Sequence, residues 1–149
     1  MIGNIKIIAV CMCKVYDERN YRIIRALNNF AVENDYRLFV YHTCSDLYWK
    51  TLSEKGEQSV FDLIDYNITD AVVTFEEGVY AENVMTKIRM DAAKYGKPVI
   101  SVGVEHDDCI SIKFGYAKGF EQVVRHVIEQ HGVRDIGFIA GRKDEENSE

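Results

Sequence analysis

Side chains able to do chemistry gather at four places in this chain, each where an apolar run gives way to polar residues. Lys14, Tyr16 and Asp17 follow the run 5–12. His42 and Thr43 close the run 37–43. Phe75 and Glu76 stand at the end of 71–75, and Glu105 follows 98–103. Rings offer a stacking surface, and carboxylates, an ammonium and an imidazole offer directional hydrogen bonds. Together they suit a small polar ligand such as a sugar. The same residues also fit ordinary polar loops. These eight are the candidate ligand-binding residues, and the pattern contains no catalytic residue.

Metal and nucleotide chemistry find less support. Cys11 and Cys13 are two apart, on one side of an extended strand, with His42 and Cys44 at the end of the next run. No C-x-x-C or second cysteine pair accompanies them, so they read as small buried thiols rather than a zinc site. His126, Glu129 and His131 lack the i, i+4 histidine spacing of H-E-x-x-H, and the expectation is that the two imidazoles do not share a helix face. No G-x-G-x-x-G, phosphate loop or G-x-S-x-G elbow is present, so neither cofactor nor metal is expected. A phospho-receiver would need acids after the first strand and an Asp after the third. Met12-Cys13 and Thr74-Phe75 stand there instead. The acidic loops Glu76-Glu77 and Glu105, Asp107, Asp108 read as solvated.

The elements that must hold these residues alternate. Apolar runs at 5–12, 37–43, 71–75 and 98–103 read as strands, and 109–114 alternates as a fifth, with Ile110, Ile112 and Phe114 on one face. Helical spacing covers 19–34 (Ile23, Ile24, Leu27, Phe30, Ala31), 56–66 (Val60, Phe61, Leu63, Ile64), 81–95 (Val84, Ile88, Ala92) and 119–131 (Phe120, Val123, Val124, Val127, Ile128). A further strand is expected at 136–140. Strands separated by helices imply βαβ units. With right-handed crossovers the expectation is a three-layer α/β sandwich with a mostly parallel sheet in the order 2-1-3-4-5. In such a sheet ligands bind beyond the carboxyl ends of the strands, where the eight candidates fall.

Bulk properties narrow the classes. The chain has 149 residues, 47% of them hydrophobic, and a formal net charge of −6. That is enough apolar material for a core, and an acidic balance without a basic cluster argues against direct nucleic-acid binding. No run approaches the ~20 apolar residues of a membrane span. Four unpaired cysteines and an N-terminus that reads as a strand rather than an export signal suggest a cytoplasmic protein.

The stretch 97–141 resembles the effector-binding core of the lactose-repressor (LacI/GalR) family of periplasmic-binding-like domains. The resemblance rests on Gly119, His126-Val127, Ile128-Glu129-Gln130-His131-Gly132, the run Gly132-Val133-Arg134-Asp135-Ile136, and Gly141. The family's Asp-Asn pair falls on Gly115-Tyr116 and a family histidine on Val133, so no ligand role carries over there. The resemblance implies a flavodoxin-like lobe (periplasmic-binding-protein-like I) at 1–115, the first helix and strand of a truncated second lobe at 116–141, and a charged tail at 142–149. It further implies a non-enzymatic small-molecule sensor and a homodimer. Its output domain would be carried outside this chain, for example a bacterial diguanylate cyclase (GGDEF) or a transcription-regulating domain. The helix and strand at 116–141 are expected to pack on the same sheet or against another copy. A ligand-free dimerisation module and a small flavodoxin-like enzyme are the alternatives.

Overall fold

The computed structural model describes residues 5–77 and 79–139. Five strands form one parallel sheet in the order β2-β1-β3-β4-β5: β1 Lys6–Cys13, β2 Tyr36–Thr43, β3 Ala71–Phe75, β4 Val99–Val102 and β5 Ile110–Ile112. Four helices accompany them: α1 Glu18–Glu33, α2 Leu52–Gln58, α3 Glu82–Lys94 and α4 Tyr116–His131. A 3-10 turn, Ser59–Leu63, follows α2. The chain divides into two compact units, residues 1–113 with the sheet and residues 114–149 with α4.

The interior strand β1 is apolar throughout its second half, and Ala9 to Cys13 are all buried, as expected for a parallel strand covered on both sides. One face of the sheet presents Ala9, Cys11, Cys13, Val72 and Val99 to Phe61 of the 3-10 turn, Ile64 just after it, and Met85, Ile88 and Ala92 of α3. Each fully buried side chain of this kind contributes about 1.5–3 kcal/mol. The chain runs from β1 leftward to β2 and then rightward to β3, so right-handed connections put α1 on the other face, where it lies against β2.

Cover on the α1 face fades along the sheet. Val10, Val73, Ile100 and Ile110 stand in register across β1, β3, β4 and β5. Val10 is sealed, Val73 and Ile100 are half-buried, and Ile110 is 63% exposed. Ile112 is exposed too, so the apolar side of β5 meets solvent within this unit. The stripe of α1 is affected likewise: Ala31 is buried, but Phe30, expected inward, is exposed.

Three other expectations change. The second helix starts at Leu52 rather than Gly56 because Thr51 and Glu54 form a capping box: Thr51 Oγ1 accepts from Glu54 N (3.2 Å) and Glu54 Oε2 accepts from Thr51 N (2.8 Å). The chain then tightens into the 3-10 turn, which buries Phe61 and turns Leu63 outward. Residues 132–139 form no strand, and Ala140 and Gly141 lie outside the described residues. Finally, α4 begins three residues earlier than its periodicity indicates, at Tyr116, and ends at Gly132, whose φ of 64° suits a glycine cap.

Taken by itself, the α4 unit has a helix with none of its residues buried. Phe120 touches Phe138 with ring centres 5.2 Å apart. His126 and His131 do meet, Nε2 to Nε2 at 3.1 Å, contrary to the expectation from spacing. His131 is the last residue of the helix, where its ring can reach back to His126. No group of three metal-ligating side chains occurs among the described residues.

Candidate functional site at the carboxyl ends of the strands

The connections that leave β1 and β2 are bound to each other by side chains. Lys14 Nζ donates to Asp46 Oδ2 at 2.9 Å, and Tyr16 donates its hydroxyl proton to the Cys44 carbonyl. The Lys14 hydrogen bond holds the Asp46 carboxyl below its ordinary pKa. Glu57 of α2 reaches the same place: its Oε2 accepts from Cys44 N (2.8 Å), Ser45 N (2.9 Å) and Ser45 Oγ (3.2 Å). The Tyr80 amide donates to the Asp46 carbonyl at 3.0 Å, bringing the β3 exit alongside.

The backbone here is held in unusual conformations. Four non-glycine residues among those described have positive φ, and three lie in these exits: Lys14 (47°), Leu47 (64°) and Lys50 (53°). Left-handed backbone is costly for a residue with a Cβ and persists only where the surroundings enforce it. At Leu47 the enforcement is burial, since the side chain is wholly enclosed. Aromatic rings line the same loops. Tyr48 meets Trp49 and Tyr80 edge-to-face, with centres 4.9 and 5.0 Å apart. Trp49 and Tyr16 remain 76% and 60% exposed.

A second group lies where β3 and β4 end. Glu76 is buried, and its carboxylate is encircled. Thr74 Oγ1 donates to Oε1 at 2.7 Å, with Ser101 Oγ 3.2 Å from the same oxygen, Arg89 donates from one nitrogen to both oxygens at 2.9 Å, and His106 Nε2 lies 2.9 Å from Oε2. Burial alone would raise the Glu76 pKa. The bonds from Thr74 and His106 and the Arg89 charge outweigh it, and the net shift is downward. Arg89 is held in turn by the face of α3 it shares with Met85, Ile88 and Ala92. Gly103, at φ 103°, lets the β4 exit pass close to Glu77: a Cβ there would lie 2.7 Å from the Glu77 Cβ.

The eight candidates separate accordingly. Lys14 and Tyr16 take part in the β1–β2 exit group. Asp17 precedes α1 without a side-chain capping bond and is exposed. Thr43 is buried, donating to Ser45 O at 2.7 Å with Cys13 Sγ 2.9 Å from its hydroxyl, and Glu76 is committed to protein donors. His42 is half-buried with Nδ1 3.3 Å from the Thr43 carbonyl, and Phe75 is half-buried beside Val102. Glu105 is exposed and pairs with Lys113 at 3.0 Å. Asp46, Trp49, Tyr80 and Arg89 were not among the sequence candidates. Trp49 carried a signal, as the single tryptophan in a polar connection. Arg89 carried another, as a charge next to Ile88 on an apolar stripe.

The cysteines are free. Burial pushes the Cys13 thiol up to about 11 and raises Cys11 further. Cys44 is exposed. A separate groove of about 530 Å³ runs between the 3-10 turn and α3, lined by Tyr66, Tyr95, Lys87 and Asp62 among others. Four of its charges are matched: Lys87 with Asp62 at 2.9 Å and Lys94 with Asp91 at 2.7 Å.

No protein-family model matches the chain, and no curated protein matches it. No helix among the described residues is long and apolar enough to cross a membrane.

Proposed function

We propose that this chain is a small-molecule-sensing regulatory domain of the periplasmic-binding-like type. It grips a small polar ligand, such as a sugar, at the carboxyl ends of β1, β2 and β3, and it has no catalysis of its own. The ligand-dependent change passes to an output domain carried outside these residues, in a bacterial signalling protein or transcriptional regulator of the cytoplasm. The observation that carries this reading is the convergence at one end of the sheet of three left-handed non-glycine residues with exposed Tyr16 and Trp49. Strain of that kind concentrates where a backbone is shaped for a partner. The reading is further supported by the strand order, which reverses between β1 and β3, next to these exits; such a reversal is the usual ligand position in open parallel sheets.

A thermal-shift screen with sugars, nucleosides and amino acids tests it. The expected result is stabilisation by one chemical class, abolished by Trp49→Ala and Tyr16→Phe. The screen fails the proposal if no compound stabilises the protein.

A second reading, a ligand-free homodimerisation module of the same fold, is favoured by the exposed Ile110 and Ile112 of β5 and by Phe120, Val123 and Ile128 on α4. Apolar side chains clustered on a surface are a common mark of association. Concentration-dependent sedimentation without any ligand response supports this second reading over the first.

A further inference from the structure

We infer that Asp108 is a latch for the β4–β5 connection, residues 103–109, closing onto the Nε–H of Arg89. The latch is independent of the sensor reading and stands or falls by itself.

Arg89 is only 6% exposed. Its guanidinium carries five N–H donors. One terminal nitrogen serves both oxygens of Glu76, and the other donates to Thr86 Oγ1 at 3.1 Å. The Nε–H is sealed from solvent and has no hydrogen-bond acceptor. A buried donor left unmatched costs free energy, and the cost is greater on a cation. The carboxylate paired with it at longer range is Asp108, whose Oδ1 stands 3.7 Å from Nε, beyond hydrogen-bond length. The Asp108 side chain is 63% exposed, so it is free to approach. A shift of about 1 Å makes the bond.

The connection is built for such a local movement. Its root is tied down: Gly103 N donates to Ile112 O at 2.9 Å and Ser101 Oγ to Val104 O at 2.8 Å. His106 N donates to Ser111 Oγ at 3.0 Å, while its ring lies on Glu76. The turn Asp107-Asp108 lies beyond those ties. Closing it unites β3, α3 and the β4–β5 connection around one guanidinium, and fixes Glu105 and His106 at the strand ends.

The test is nitrogen-15 NMR of the whole chain, reading the Arg89 Nε–H resonance and amide exchange at 107–109. Asp108→Asn is expected to move the resonance and to speed exchange at 107–109 by roughly tenfold or more, the factor a charge-assisted hydrogen bond is worth. Asp107→Asn, equal in charge change, is expected to do neither. A resonance unmoved by Asp108→Asn, or moved equally by both substitutions, overturns the latch. Both sites are exposed, so neither variant puts folding at risk.

Discussion

A buried carboxylate such as Glu76 is tolerated in a protein interior only when its charge is matched, and Arg89 supplies the match from α3. Removing one partner strands the other. Arg89→Met is therefore expected to lower stability by about 3–5 kcal/mol, measured by urea unfolding at neutral pH. The pH dependence follows from the downward shift of Glu76. Its contribution is fully present above the unfolded carboxylate pKa of about 4.3 and is lost as pH falls through the lower folded value. Urea midpoints across acid pH are expected to fall steeply for the native chain and more gently for Glu76→Gln. Among the thiols, a disulfide-exchange reagent under native conditions is expected to modify exposed Cys44 rapidly and to leave Cys11 and Cys13 unmodified until unfolding, since burial withholds their thiolates. The identity of the Glu76 partner was not legible in the sequence. An arginine on an apolar stripe announces a buried ion pair, but several carboxylates could have answered it, and only the β3–α3 packing selects one.

Element by element, legibility followed how local the controlling physics is. Strand β3 occupies the expected 71–75, because a short β-branched run between turn residues has few other uses. The second helix was misplaced because its apolar stripe was followed and its start signal was passed over. Thr51-Leu52-Ser53-Glu54 is a capping box in plain sequence, and Gly56 lies inside the helix, not before it. Thr51→Ala is expected to cost about 1 kcal/mol in urea unfolding, the usual worth of such a cap. The run 136–139 shows the opposite failure. Ile136, Phe138 and Ile139 are strand-formers, but a strand needs a neighbour to take its hydrogen bonds, and none is paired with it. At the β4 exit, Gly103→Ala must both hold a positive φ and displace Glu77, so a lowered melting temperature is expected from differential scanning calorimetry.

At the scale of the molecule, the sheet-bearing unit, taken by itself, is well covered on its α2–α3 face and thinly covered toward β5 on the other. The parallel order and the direction of each crossover were legible, since alternating strands and helices permit few arrangements. The site was legible only in outline. Sequence order tells which residues follow each strand, but not that Thr43 and Glu76 turn inward or that Asp46 joins Lys14. The exposed apolar side of β5 and the unburied α4 give the homodimer proposal a direct check: sedimentation velocity is expected to show a concentration-dependent dimer, and one monomeric species at all concentrations contradicts it. The central claim concerns where a ligand is gripped. Backbone chemical-shift mapping with the stabilising compound from the thermal screen tests that most directly. The account predicts perturbed amides at 14–17, 44–50 and 79–80; perturbations confined to the groove between the 3-10 turn and α3 would contradict it.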